Sequence, residues 1–250
     1  MKINIITGGS RGLGRSMALH LADKGQDSII TYHANKAAAD EVVKAIEAKG
    51  RKAVALQLDI SKSATFEAFA AEVKKALAAT WKRDTFDHVV NNAGTGAGVT
   101  IAETSEAVFD EMMNEHVKGP YFLTQKLLPL MADGGRIINV SSGLARFSFP
   151  SRAPYAIMKG AIEVFTRYLA KELGERKITA NTLAPGAIAT DFGGGGTRDN
   201  PQVNGMIAGM TALGRVGLPD DIGALAAAML TDDFRWVNGQ RIEAAGGFML

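Results

Sequence analysis

Short apolar runs rich in β-branched residues alternate along the chain with longer amphipathic stretches. The apolar runs lie at 3–7, 28–32, 53–58, 88–92, 136–142 and 178–185, and the amphipathic stretches at 15–24, 36–49, 63–79, 106–131, 154–174 and 220–230. Nearly continuous apolar runs of this length are typical of strands buried on both faces, and the stretches between them have the helical period. The pattern predicts one α/β domain over residues 1–250, with a doubly wound parallel sheet of about seven strands and helices on both faces.

One glycine-rich stretch interrupts this alternation. It reads TDFGGGGTRDNPQVNG, covers 190–205, and separates the sixth apolar run from a helix that starts near Pro219. We expect a mobile loop here, within a substrate loop near 187–216 that covers a site, although a long loop can also lack a role. The N-terminal half is expected to bind a dinucleotide.

Composition narrows the class of protein. The 250 residues are 46% hydrophobic and 22% charged, with a net charge of +2 and no cysteine. We expect no disulfide or cysteine-bound zinc, no nucleic-acid partner and no membrane anchor. No histidine pair has metal-ligand spacing, so we expect no catalytic metal. The N-terminal apolar run is too short for a signal peptide, and we expect a soluble cytoplasmic protein.

A glycine-rich turn follows the first strand. The segment TGGSRGLG, at 7–14, precedes the first helix, and its residues of interest are Gly8, Ser10, Arg11, Gly12, Leu13 and Gly14. Small residues let a pyrophosphate approach the free N–H groups of a helix N-terminus. Such a turn is weak support alone, but its place between the first strand and the first helix predicts dinucleotide binding.

The residues after the second strand bear on which dinucleotide binds. NAD-binding chains place an acidic residue there for the ribose hydroxyls, whereas TYHANK at 31–36 contains none. A 2′-phosphate would meet no repulsion, and Arg11, His33 and Lys36 are candidate partners for it. NADP(H) is therefore the expected cofactor, with NAD(H) possible.

Two tyrosines precede a lysine by four positions, Tyr32 before Lys36 and Tyr155 before Lys159. The first pair lies at the predicted adenosine end, far from any nicotinamide chemistry. The second lies on a helix, close to the strand end that carries Ser142, at the sheet edge where ligands bind. An ammonium ~4 Å from the phenol interacts by about 4 kcal/mol at an effective dielectric of ~20, and could lower the tyrosine pKa by up to ~3. Carbonyl reduction needs such an acid.

With these residues the sequence resembles the short-chain dehydrogenase/reductase family over essentially its whole length. TGGSRGLG, NNAG at 91–94, Ser142 at 13 positions before Tyr155, Y-x-x-x-K, and P-G-x-x-x-T at 185–190 occur in order. The resemblance implies a Rossmann-type fold with Tyr155 as general acid/base, Lys159 on the nicotinamide ribose, and Ser142 orienting the substrate. It also implies a homotetramer or homodimer formed by two long helices. The further cofactor contacts that it implies are Asp59, Ile60, Asn92, Ala93, Gly94, Pro185, Gly186, Ile188 and Thr190.

One position departs from the family pattern. An asparagine usually precedes the segment that reads Val117-Lys118-Gly119, and His116 stands there instead. That asparagine helps to hold a water that relays protons to the lysine. We hypothesise that His116 keeps the relay through its carbonyl or its imidazole. Packing in a helix bend is the alternative.

The substrate is less well defined by the sequence. Apolar residues expected near the pocket suggest a hydrophobic carbonyl or alcohol, whereas Arg146 and Arg152 could instead meet an anion. Reduction of a 3-oxoacyl thioester, sugar or steroid is an alternative, as are a dehydratase or epimerase and a non-catalytic dinucleotide-sensing regulator. The apolar residues are Leu144, Phe147, Phe149, Phe192, Met206 and Met210.

Overall fold

Seven parallel strands form one sheet in the computed structural model, which describes residues 1–250. The strand order is β3-β2-β1-β4-β5-β6-β7. From β1 the chain builds the sheet outward first in one direction, through β2 and β3, and then in the other, from β4 to β7. At such a switch point between β1 and β4 a crevice opens at the carboxyl edge of the sheet. The predicted α/β class is confirmed. The strands are β1 Ile3–Ile6, β2 Asp27–Tyr32, β3 Ala53–Gln57, β4 Phe86–Asn91, β5 Met131–Val140, β6 Thr179–Pro185 and β7 Arg241–Ala244.

Helices cover both faces of the sheet. Alternate residues of β1 point to opposite sides, Ile5 into a core shared with α3, α5 and α6, and Ile6 into a core shared with α1, α2 and α9. No helix is both long and apolar enough to cross a membrane. The helices are α1 Gly12–Asp23, α2 Lys36–Ala48, α3 Phe66–Ala76, α4 Glu106–Met113, α5 Gly119–Leu127, α6 Ala153–Glu172, α7 Gly196–Asp199, α8 Pro201–Gly209 and α9 Pro219–Met229.

The stretch 106–131, expected as one helix, is interrupted. A π-helical turn, Asn114–Lys118, separates α4 from α5. Pro120 has no N–H and cannot donate the α-helical bond to the carbonyl of His116, which favours a wider turn at this point. At the other end, Met131 already belongs to β5. The interruption sets His116 apart from the regular helix surface.

The stretch 190–205, expected as a mobile loop, is largely helical. A 3₁₀ turn at Phe192–Gly195 leads into α7 and α8. The helix α8 has a clear start, because the Asn200 side chain accepts from the backbone N–H of residues 202 and 203 and Pro201 follows it. Gly193, Gly194 and Gly195 have positive φ and make the bend before α7.

Candidate active site

Ser142, Tyr155 and Lys159 meet at the carboxyl edge of the sheet, as predicted. Ser142 is the second residue after the end of β5, and one face of α6 carries both Tyr155 and Lys159. Tyr155 and Lys159 are buried, at 8% and 6% exposure. The Lys159 Nζ donates to the carbonyl of Val140 at 2.8 Å and lies 5.4 Å from the centre of the Tyr155 ring. A hydroxyl, a phenol and an amine therefore lie close together at this edge of the sheet.

The ionisation of this pair differs from the expectation. Burial raises the pKa of Tyr155 well above its usual value, opposed by a hydrogen bond with Ser142 and by the charge of Arg152. Burial also lowers the pKa of Lys159 to about 8. With a pKa of about 8, Lys159 is still mostly an ammonium at neutral pH. Burial outweighs the groups that lower the Tyr155 pKa in the protein without a cofactor, and the role of Lys159 in lowering that pKa stays a prediction.

His116 packs directly against the candidate acid. Its ring meets the Tyr155 ring edge-on, with centroids 5.1 Å apart at 88°. The His116 Nε2 lies 2.8 Å from the carbonyl of Thr95, so Nε2 carries the proton, and the buried Nδ1 is an acceptor without a partner. Burial and the charge of Lys159 lower the pKa of His116 to about 3. A relay through a charged imidazolium is therefore disfavoured at neutral pH, while an acceptor role for Nδ1 fits.

Glu115 is a site residue that the sequence analysis missed. Its carboxylate accepts from the Thr95 N–H at 2.9 Å and from the Thr95 hydroxyl at 2.7 Å. Its negative charge also favours the ammonium form of Lys159 and so opposes the effect of burial on that pKa. Its position beside His116 was the only available sequence signal.

The glycine turn is shaped for a phosphate. Gly8 and Gly12 have φ of +66° and +53°, and a side chain at Gly14 would approach the Gly8 carbonyl to 2.3 Å. The Thr7 hydroxyl accepts from the backbone N–H groups of residues 92 and 93, at 2.9 Å each. The turn is therefore fixed to the end of β4, in agreement with the predicted grouping of Asn92 and Ala93 with the glycines.

A cavity of about 380 Å³ opens at this turn. Three arginines and the N-terminus of α1 border it, which suits a dinucleotide phosphate, although two carboxylates also reach it. The lining residues are Ser10, Arg11, Gly12, Arg15, Ser16, Ala189, Thr190, Asp191, Arg198, Pro219 and Asp220. Ser10, Arg11 and Gly12 of the predicted cofactor set lie here, and Leu13 instead packs partly against the core.

The three cations expected for a 2′-phosphate all have acidic neighbours. Arg11 pairs with Asp191, and Lys36 pairs with Asp40 on its own helix at 2.8 Å. The His33 Nε2 lies 3.6 Å from Asp59 at the end of β3. The pairs of Arg11 and Lys36 are exposed, so a bound phosphate would compete there with weak ion pairs only.

Of the remaining predicted cofactor residues, Thr190 lines the cavity at the glycine turn, and the others have contacts outside its lining. A side chain at Gly94 would collide with His116, and one at Gly186 would collide with Ala245. Ile60 is buried at 8% exposure, and Ile188 bridges to Gly217. Pro185 ends β6, and the buried Thr190 accepts from the Phe192 N–H at 3.2 Å. Tyr32, the first residue of the competing pair, is a core residue.

The predicted pocket residues divide into two groups. Phe192 lies over Tyr155 with ring centroids 5.8 Å apart, and Leu144 packs beside them. Phe147, Phe149 and Met210 instead form a second cluster around Phe248, which the sequence analysis missed, and Met206 is 55% exposed.

The two arginines considered as anion partners are engaged elsewhere. Arg146 stacks on Phe147 and pairs with Glu243, and Arg152 donates to the Ala97 carbonyl at 3.4 Å. Arg152 nevertheless lies close enough for its charge to act on Tyr155, whose aromatic neighbours are His116 and Phe192.

Comparison with known proteins shows similarity over the whole chain. A family model described as Enoyl-(Acyl carrier protein) reductase matches residues 8–249. Tetrahydroxynaphthalene reductase PfmaG of Pestalotiopsis fici is 37% identical over 257 residues, which cover 98% of this chain and 91% of that protein. The angucycline C-6 ketoreductase LanV, solved with bound NADP, has a TM-score of 0.94 at 33% identity, and the match covers 99% of this chain and 95% of the LanV chain. A short-chain dehydrogenase/reductase from Serratia marcescens has a TM-score of 0.91 at 28% identity, with 100% and 98% coverage.

Proposed function

The chain belongs to the short-chain dehydrogenase/reductase family, and we infer from this that it is an NADP(H)-dependent oxidoreductase interconverting a ketone or aldehyde and an alcohol. The observation that carries the inference is the meeting of Ser142, Tyr155 and Lys159 at the carboxyl edge of the sheet, beside the glycine turn. A regulator that only senses a dinucleotide would need neither the proton donor Tyr155 nor the substrate-orienting hydroxyl of Ser142.

The residues divide the reaction between them. NADPH, when bound, supplies the hydride. Tyr155 gives the proton to the carbonyl oxygen, and its raised pKa keeps the phenol protonated over the ordinary pH range. The Ser142 hydroxyl orients the same oxygen. Lys159 holds the nicotinamide ribose and resupplies Tyr155 with a proton. The His116 Nδ1 is a neighbouring hydrogen-bond acceptor without a partner in the protein.

The cofactor is proposed to lie along the crevice from the glycine turn to Tyr155. The α1 N-terminus would hold the pyrophosphate, and Arg11, with His33 and Lys36, would favour NADPH over NADH. LanV was solved with NADP, and this agrees with the preference. The remaining contacts would come from Asp59, Ile60, Asn92, Ala93, Gly94, Pro185, Gly186, Ile188 and Thr190, with segment 187–216 bordering the substrate.

An aromatic polycyclic ketone is the proposed substrate. Phe192 and Leu144 give the pocket beside Tyr155 an apolar, aromatic wall. A hydroxynaphthalene reductase and an angucycline ketoreductase are similar over nearly the full chain. A 3-oxoacyl thioester is the second candidate: the description of the matching family model names an acyl-carrier-protein substrate, although for reduction of an enoyl double bond rather than of a ketone.

Self-association is proposed through α5 and α6, as a homodimer or homotetramer. Both helices expose large apolar residues that a monomer would leave in water, and five of them lie between 38% and 64% exposure. They are Tyr121, Phe122, Ile157, Val164 and Tyr168. Light scattering on the purified protein measures the assembly directly. A cytoplasmic location stays a prediction.

The test is loss of NADPH absorbance, with NADH in parallel, across aromatic polycyclic ketones, simple ketones, aldehydes and 3-oxoacyl thioesters. We expect turnover with NADPH that is abolished in Tyr155→Phe. Tyr168→Phe is the matched control, because Tyr168 is on the same helix but 64% exposed, and it should keep full activity. Tight NADPH binding without turnover of any carbonyl would contradict the proposal and favour a regulator or a non-redox reaction.

A further inference from the structure

A group of half-buried charges lies directly behind Ser142. The hydroxyl of Ser141, the residue before it, lies 2.7 Å from Glu163 Oε1 and 3.2 Å from the Lys159 carbonyl. A hydroxyl has one proton, and the nearer carboxylate takes it in the stronger, charge-assisted bond. Glu163 is one helical turn beyond Lys159 on α6, so the helix that carries the candidate acid also holds the end of β5.

Arg241 of β7 completes the contact from the other side. Its Nε donates to Glu163 Oε1 at 2.7 Å, and its Nη2 donates to the Ser142 carbonyl at 3.3 Å. Glu243 accepts from Arg241 and also from Arg146 in a two-pronged pair at 2.7 and 2.9 Å. The guanidinium is therefore fixed by two carboxylates while it bonds the backbone of the serine.

These charges are sheltered from water and unused in the proposed chemistry. The side chains of Glu163, Arg241 and Glu243 are 16%, 23% and 20% exposed. Their mutual pairing offsets the cost of burying them, and the remaining contacts of Glu163 and Arg241 are with the hydroxyl of Ser141 and the carbonyl of Ser142. Neither residue lines the cavity at the glycine turn, and Glu115 rather than Glu163 acts on the ionisation of Lys159.

We propose that Glu163 and Arg241 are positioning residues that hold the Ser142 hydroxyl at its working distance from Tyr155. Glu163 fixes Ser141 to α6, and Arg241 fixes the Ser142 peptide to β7. Both therefore act through the serine. The inference rests on the proposed carbonyl reductase function.

The experiment is a double-mutant cycle on kcat, with NADPH and β-tetralone, or with the fastest ketone of the panel. Glu163→Gln keeps the shape of the side chain but removes its charge. We expect it to lower kcat about tenfold, since small displacements of a substrate-orienting group are costly, while the KM for NADPH is unchanged. In a Ser142→Ala background the same change should have almost no further effect, because the serine through which it acts is gone.

Two further variants refine the test. Arg241→Lys keeps a charge for Glu163 but loses the planar fork that also reaches the Ser142 carbonyl, and we expect a loss of kcat that Ser142→Ala again masks. Glu172→Gln is the control, because Glu172 is an exposed residue at the end of the same helix, and it should leave kcat unchanged. If Glu163→Gln does not fold, Ser141→Ala removes the same link more mildly and takes its place.

The outcomes separate the inference from the proposed function. The positioning role would be overturned if Glu163→Gln kept the full kcat, or if it lowered kcat by the same factor with and without the Ser142 hydroxyl. Either result would leave the proposed reductase function standing. A wild-type protein that reduces no carbonyl would overturn both. The expected result is that Glu163→Gln and Arg241→Lys both lower kcat without changing the unfolding midpoint, and that Ser142→Ala masks both losses.

Discussion

Replacing Gly94 by alanine tests how tightly His116 is held against the candidate acid. The added methyl carbon would lie 2.3 Å from His116 Cε1 and 2.8 Å from Nδ1. The imidazole has little freedom to retreat, because its Nε2 bonds the Thr95 carbonyl at 2.8 Å and its ring meets Tyr155 edge-on. Gly94→Ala should therefore disturb both stability and catalysis.

The size of the effect follows from the overlap. Ordinary carbon contacts are about 3.5–4.0 Å, so the ring or the backbone must move by roughly 1 Å or more. Overpacking of this kind costs about 1–3 kcal/mol. In a domain of this length each kcal/mol corresponds to about 2–4 °C in Tm. We expect Tm to fall by roughly 2–12 °C, with a parallel fall in kcat as the Tyr155 ring is displaced.

The assay is thermal unfolding and carbonyl reduction for Gly94→Ala, His116→Ala and the double variant. Removing the imidazole makes room for the methyl group but leaves the backbone strain of alanine at the Gly94 φ of +155°, so Gly94→Ala should cost less, but still a measurable amount, in the His116→Ala background. Gly160→Ala is the control, since no atom lies within 4 Å of its added carbon and alanine suits the middle of α6. An equal loss of Tm from Gly94→Ala with and without the imidazole would refute the steric explanation.

Three further changes have defined outcomes. Glu115→Gln removes the carboxylate that opposes the effect of burial on the Lys159 pKa, so that pKa should fall below about 8. The alkaline limb of kcat/KM should then move to lower pH, which a pH profile of the reduction measures. Arg11→Ala should raise the KM for NADPH about tenfold or more and leave that for NADH nearly unchanged, as steady-state kinetics would show. Trp81→Phe removes the indole donor 2.7 Å from the fully buried Asp27 carboxylate, and should lower the unfolding free energy by about 1.5–3 kcal/mol in urea titrations.

Most of the sheet was predictable because its five inner strands are buried on both faces, whereas β7, at the edge, is only half-buried and matches no apolar run. Each apolar run coincides with a strand to within a few residues, except that β5 begins at Met131 rather than 136. Helix interruptions were harder to predict, since periodicity continues through the π turn and only Pro120 signals the change. In the glycine-rich stretch the glycines concealed the capping signal of Asn200 and Pro201, which begins α8.

Part of the site could be predicted from local spacing. A turn of helix brings Tyr155 and Lys159 to one face, and a strand end places Ser142 nearby. The contacts of Arg241 could not be foreseen, because it meets the Ser142 carbonyl across 99 positions of chain. The direction of the Tyr155 pKa shift in the protein without a cofactor could not be foreseen for a related reason. It depends on how deeply both groups are buried, which no spacing reveals.

The protonation states of Tyr155 and Lys159 follow from their burial. Burial raises the pKa of Tyr155 well above its usual value and lowers that of Lys159 to about 8. Tyr155 is therefore a phenol at neutral pH, and the groups of this chain that lower its pKa, Ser142 and Arg152, do not outweigh burial. A tyrosine must carry its proton before it can donate it, so burial keeps Tyr155 in the form that carbonyl reduction uses.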